Sequence, residues 1–168
     1  LGYEIEENTA AALRAKSRLL RTISAERIFV EWKKLLSGDF AYEVVSEFAD
    51  VISVFIPELS ALCLPQKEDF ADDFLTRQAQ IFYLSCDAPS SAYAEAMKRL
   101  KIDNRTRALG EAMLKHSSCY SLQSLSDAGV MLSELGEETA LAVTRLDLSL
   151  GKIDKKAYSL IEEYIERG

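Results

Sequence analysis

Ser24-Ala25-Glu26-Arg27-Ile28-Phe29-Val30-Glu31-Trp32, followed by the basic pair Lys33-Lys34, holds a helix start and an amphipathic run in one short stretch. With Ser24 as N-cap, its hydroxyl can accept a bond from an orphan backbone N–H, and Glu26 falls in the first turn, where the helix dipole favours an anion. Ile23 and Ile28 take the N′ and N4 positions of a hydrophobic staple. A strict capping box would put Glu or Gln at position 27. This chain has Arg27, which leaves that side chain free to face another element or a ligand. The plainer reading is a surface pair between Arg27 and Glu31 one turn apart, contributing only about 0.2–0.5 kcal/mol. Ile28, Phe29, Trp32, Leu35 and Leu36 form the buried face, and Ser37-Gly38-Asp39 ends the helix.

Outward from this stretch the helical period continues in both directions. Residues 8 to 21 place Ala10, Leu13, Ser17 and Leu20 on one face and Arg14, Arg18 and Arg21 on a flanking stripe, a core face with a basic border. A third helix is expected from Phe40 to about Phe55, stopped by Pro57, because a proline disfavours helical geometry in the residue before it. Ser60 to Asp69, with Pro65 and mixed charges, reads as a loop between two sub-bundles. Further helices are expected at 70–85, 90–101, 104–116 with Asp103 as cap, 121–135 closed by Gly136, 137–150 closed by Gly151, and from Asp154 onward. No β-branched or aromatic run alternates with polar residues long enough for a strand. The expectation is an all-α fold of eight or nine helices, with neighbours antiparallel across short connections.

At 168 residues and 48% apolar content the chain can bury roughly two-thirds of its unfolded surface without help from a metal or disulfide. Cys63, Cys86 and Cys119 are odd in number and widely spaced, which points to a reducing cytoplasm and three small buried side chains. No apolar run has the length of a membrane span, and no charged n-region precedes an apolar h-region, so a cytoplasmic protein without a membrane partner is expected. The net charge of −7 argues at first against a polyanionic partner. It hides a strong polarity along the chain. Residues 9 to 37 carry seven basic residues (Arg14, Lys16, Arg18, Arg21, Arg27, Lys33, Lys34) against Glu26 and Glu31. Residues 98 to 115 carry six (Lys98, Arg99, Lys101, Arg105, Arg107, Lys115) against Asp103 and Glu111, whereas residues 39 to 73 carry nine acids and only Lys67. Such asymmetry can orient a polyanion, although solvated helix faces account for both basic segments equally well.

The Ser24 to Trp32 stretch resembles the neck motif of bacterial tRNA nucleotidyltransferases, the family of CCA-adding enzymes and poly(A) polymerases. Leu1-Gly2-Tyr3-Glu4-Ile5-Glu6-Glu7-Asn8-Thr9 is similar to the segment directly after that family's nucleotide-binding helix, and Ile56-Pro57-Glu58-Leu59 to the turn that closes the neck. Arg99-Leu100-Lys101-Ile102-Asp103-Asn104 resembles a segment downstream of the His-Asp motif in members with a phosphohydrolase-type body. There the His-Asp pair follows a helix similar to Leu75-Thr76-Arg77-Gln78-Ala79-Gln80-Ile81-Phe82; here Tyr83 and Leu84 stand in the matching places, and His116 is the single histidine. The resemblance implies neck helices over 1–59 and, over 60–168, a helical body degenerate relative to the metal-binding body of some members. It implies Ser24, Glu26, Arg27 and Glu31 as neck-motif residues, and tRNA as partner. The candidate RNA contacts are Arg14, Arg18, Arg21, Arg27, Lys33, Lys34, Lys98, Arg99, Lys101 and Arg105.

The family's paired catalytic aspartates and its Glu-Asp-x-x-Arg motif are not in this sequence. The resemblance therefore implies a neck and body cut from a catalytic head, with no catalytic or metal residues and no cofactor of its own. Magnesium and CTP or ATP are implied for the full-length enzyme. Other chemistry has little support. His116 beside Ser117, Ser118 and Cys119 lacks a third orienting group and suits a helix C-terminus, and Asp72-Asp73 suits a helix start. The alternative, from a different class, is a non-catalytic helical module whose acidic stretch 39–73 binds a protein.

Overall fold

The computed structural model describes residues 5–167, so Leu1 to Glu4, part of the segment set beside the family's nucleotide-binding helix, lie outside the described residues. The described chain is all-α, without a strand. Its helices are α1 (Glu7–Lys16), α2 (Ala25–Leu36), α3 (Ala41–Glu47), α4 (Ala49–Phe55), α5 (Phe74–Ser85), α6 (Pro89–Arg99), α7 (Asn104–His116), α8 (Leu125–Leu135), α9 (Glu137–Ser149) and α10 (Lys155–Arg167). Short 3₁₀ segments at Ser17–Thr22, Pro57–Leu59 and Lys67–Asp69 join some of them.

Ten helices appear where eight or nine were expected, because the run from Phe40 to Phe55 breaks at Phe48 (φ −111°, ψ 30°). The break turns Phe48 into a small cluster with Ala10 and Val51. It also frees the Glu47 carbonyl, which accepts a bond from Arg14 Nη2 at 3.0 Å. The expected first helix likewise keeps α geometry only to Lys16 and tightens into a 3₁₀ turn from Ser17, whose hydroxyl donates to the Arg14 carbonyl at 2.8 Å. With three residues per turn, Arg18 and Arg21 eclipse one another while Arg14 leaves their stripe. The continuous basic border is thereby split.

Helix starts follow local chemistry where a carboxylate is in place. Asp73 accepts from Thr76 N–H and Asp103 from Thr106 N–H, both at 2.9 Å, and Ser124 with Asp127 forms a full capping box. These caps move the expected starts at 70 and 121 to Phe74 and Leu125. Ser24 stands at the N-cap of α2 with extended backbone, but its hydroxyl makes no cap bond, contrary to expectation. The cysteines also differ: Cys63 and Cys119 are exposed and Cys86 is half-buried, all three lying in connections between helices.

The largest apolar cluster runs from Trp32, Leu36 and Val45 through Ile81, Phe82, Tyr93 and Met113 to Leu146, joining α2 and α3 with α5, α6, α7 and α9. A second cluster, Leu122, Ala128, Met131, Ala140, Val143 and Ile161, holds α8, α9 and α10 together. The link between the first helices and the rest is reinforced by Arg77. Its guanidinium donates to the carbonyls of Leu36 (2.7 Å) and Gly38 (2.9 Å), where α2 ends, and to that of Ala71. Among the described residues no helix is long and apolar enough to cross a membrane.

Candidate nucleic-acid interface

Burial of Trp32 and Leu36 against the core fixes the rotation of α2 and turns Glu26, Arg27, Glu31, Lys33 and Lys34 outward. The Arg27–Glu31 pair is not formed. Glu31 instead accepts from Lys34 at 2.9 Å, which leaves Arg27 without an acidic partner among the described residues. Arg18 and Arg21, exposed on the 3₁₀ turn before α2, also have none. Lys33 lies with its ammonium 5.7 Å from the Phe74 ring centroid.

Arg14 is held differently. Besides its bond to the Glu47 carbonyl, its Nε lies 3.4 Å from Asp50 Oδ2 and its guanidinium sits over the Phe48 ring at 4.9 Å. It clasps the break between α3 and α4, and its donors already point at protein.

The second basic segment surrounds the turn between α6 and α7. Arg99 forms a bidentate fork with Glu58 at 2.8 and 2.6 Å, Lys101 Nζ reaches Glu26 Oε1 at 2.7 Å, and Arg105 reaches Glu138 at 2.8 Å. Burial alone would raise the Glu58 carboxyl. The Arg99 bonds, Glu58's own backbone N–H and the Arg99 charge together outweigh it and hold the group below the ordinary carboxylate value. Glu26 is held low chiefly by its hydrogen bond from Lys101. Lys98 is exposed on the last turn of α6.

The two basic segments, distant in sequence, meet at one place. A cleft of about 330 Å³ between the 3₁₀ turn, α2, α4 and the end of α6 is lined by Arg21 and Arg99 over Ile23, Ile28, Phe55 and Pro57. The adjoining groove, about 510 Å³, carries Arg27 and Glu26 beside Leu20, Ile23 and Val30. Such a surface offers guanidinium forks for phosphate oxygens and apolar ground for sugar edges.

Other candidates resolve into structure. Asp73 of the Asp72-Asp73 pair caps α5. His116 ends α7 beside Tyr120, with ring centroids 6.5 Å apart, and Cys119 Sγ faces the Lys115 and Ser117 carbonyls. No group of three or more His, Cys, Asp or Glu able to hold a metal occurs among the described residues. Sequence reasoning missed Arg77, although it is the only charged residue within α5. It also missed Lys152, whose Nζ donates to Ser117 Oγ at 2.8 Å and lies 3.6 Å from the Tyr83 ring centroid; Ser117 in turn bonds the buried Asp147 at 2.5 Å.

Residues 2–63, which span both the Arg18–Arg27 surface and Glu58, match the family described as "Probable RNA and SrmB- binding site of polymerase A". Over 99% of the chain there is 29% identity to the CCA-adding enzymes of Lactococcus lactis subsp. cremoris strains SK11 and MG1363, of which it covers 41%. With the CCA-adding enzyme of Geobacillus kaustophilus strain HTA426 the identity is 32%, over 52% of the chain and 22% of that enzyme. The chain thus spans well under half the length of these curated relatives, and no solved structure matches it. Residues 2–63 are similar to the polymerase A RNA-binding family, and the chain over nearly its whole length is similar to the CCA-adding enzymes.

Proposed function

We propose that this chain is the RNA-holding neck and body of a tRNA nucleotidyltransferase. It grips the backbone of a tRNA so that, in a longer protein of the CCA-adding kind, the 3′ end reaches a nucleotide-transferring head. The observation that carries this reading is the coincidence of two facts: the segment matching an RNA-binding family is also where Arg18, Arg21 and Arg27 form no ion pair among the described residues. Contacts would go to phosphate and sugar, as expected where double-stranded RNA is recognised by shape. Magnesium and CTP or ATP would belong to the head, since this sequence holds neither the Asp-x-Asp pair nor the Glu-Asp-x-x-Arg motif that transfer needs.

A second reading, a protein-docking helical module, is favoured by one observation. Leu19, Ile23 and Val30 are large apolar side chains left exposed on or beside the same neck surface. Salt separates the two. Binding to tRNA, measured by fluorescence anisotropy, is expected to weaken steeply from low to moderate salt, with log affinity linear in log salt concentration. An affinity indifferent to salt, or no tRNA binding at all, overturns the RNA reading and leaves the docking module.

A further inference from the structure

Helix α6 ends in a Schellman motif. Lys101 N–H donates to the Lys98 carbonyl at 3.2 Å and Ile102 N–H to the Met97 carbonyl at 3.1 Å, and the residue at the turn, Lys101, has φ +56°. That position favours glycine, because an L side chain crowds the following carbonyl in left-handed geometry. The motif's own hydrophobic contact is made by Ile102, which is buried. Nothing in the turn calls for a lysine, and a glycine would make it more easily.

The lysine side chain is spent instead on Glu26, 75 positions away at the start of α2. Both partners are exposed, with side-chain accessibilities of 63% and 54%. An exposed lysine–glutamate pair contributes too little to offset a strained backbone. The neighbouring pair is unlike it: Glu58 is only 16% accessible and forked to Arg99, so exchanging its partner would strand a poorly solvated carboxylate. If Lys101 lets go of Glu26, by contrast, the carboxylate simply returns to water. Lys101 also stands among other cations, with its partner Glu26 adjoining Arg27 in one groove and Arg21 lining the next beside the Glu58-bound Arg99.

We propose that Lys101 is an RNA-phosphate ligand that Glu26 holds in reserve: on binding, a backbone phosphate replaces the Glu26 carboxylate at Lys101, while the Arg99–Glu58 fork stays closed. This rests on the reading of the chain as an RNA binder and adds an exchangeable contact at the seam between its first helices and the α6–α7 turn.

The test uses the 168-residue chain, tRNA and three variants, Lys101→Gly, Glu26→Gln and their combination, with thermal melting alongside binding across a salt series. Lys101→Gly is expected to melt at or above the parent temperature while binding tRNA about sixfold more weakly at 0.1 M salt, with a slope shallower by about 0.7–0.9. Glu26→Gln is expected to bind more tightly than the parent, and in the Lys101→Gly background to have no such effect, since Glu26 acts through Lys101. If Lys101→Gly melts lower and binds tRNA with an unchanged slope, the pair is a structural clasp and the proposal falls. Equal tightening by Glu26→Gln with and without Lys101 also overturns it, assigning the effect to general charge. A parent chain that binds no tRNA removes the RNA reading together with this inference, whereas parental binding with an unaffected Lys101→Gly removes the inference alone.

Discussion

Two basic segments of similar strength in the sequence, residues 9–37 and residues 98–115, end in different electrostatic states. In the first, Arg18, Arg21 and Arg27 form no ion pair among the described residues; in the second, Arg99, Lys101 and Arg105 each hold a carboxylate. Counting charges along a chain measures supply. Availability depends on which acids the fold brings alongside, and here the acids of the 39–73 stretch are partly consumed in this way: Asp50 by Arg14, Glu58 by Arg99, Glu43 by Lys67. A phosphate would meet Arg18, Arg21 and Arg27 without displacing an ion pair, and Arg99, Lys101 and Arg105 only in competition.

The largest expected effect tests that contrast directly. Arg18→Glu with Arg21→Glu is expected to weaken tRNA binding by more than about 30-fold at 0.1 M salt and to flatten the salt dependence by about one unit per lost phosphate contact. Folding should survive, since both side chains are exposed. Arg14 is the wrong partner for this experiment, because its reversal would break the clasp on Glu47 and Phe48 and mix folding with binding. Binding that survives the Arg18 and Arg21 reversals would erase the distinction between the two segments.

A middle effect concerns how the second segment is held. Gly110, on α7, lies against Tyr93 so closely that a Cβ would stand 2.2 Å from its hydroxyl oxygen. Tyr93 is fully buried and donates to Gln78 Oε1 at 3.3 Å, so it has nowhere to retreat. Gly110→Ala is expected to destabilise the fold by about 1–3 kcal/mol, read by denaturant unfolding, through overpacking and loss of that bond. An unchanged unfolding midpoint would mean that α6 and α7 are free to separate.

The smallest effect is on the Arg99–Glu58 fork. Arg99→Gln is expected to lower stability by about 1 kcal/mol, discounted for the exposure of the arginine, and to leave tRNA affinity within about twofold. Because the Glu58 carboxyl titrates below its ordinary value in the folded chain, the fork's contribution is present at neutral pH and is lost as pH falls through that lowered value. The gap between parent and variant should therefore close in acid. A loss of tRNA binding equal to that of the Arg18 and Arg21 reversals would show that Arg99, too, faces phosphate.

Much of the fold was legible before any coordinates. Asp73, Asp103 and Gly136 mark helix boundaries by chemistry that works within four residues, and the Trp32 face declares its burial by a 3.6-residue period. The break at Phe48 was not legible. No glycine or proline marks it, and it is set by a cluster with Ala10 and by Arg14 arriving from another helix. The silent hydroxyl of Ser24 and the exposure of Cys63 and Cys119 were misread for the same reason, since a residue type states a preference and its neighbours decide whether that preference is used.

The sequence by itself determined an all-α chain, the order of nearly all its helices and the presence of two basic segments, because propensity, capping and periodicity are local and act whatever the rest of the chain does. Only the tertiary structure decided that Glu26 would stand against Lys101 and Glu58 against Arg99, that Arg14 would be consumed while Arg18, Arg21 and Arg27 formed no ion pair among the described residues, and that Arg21 and Arg99 would share a cleft. Ion pairing acts over a few ångströms through space and is indifferent to separation along the chain, so no local reading of either segment contains it.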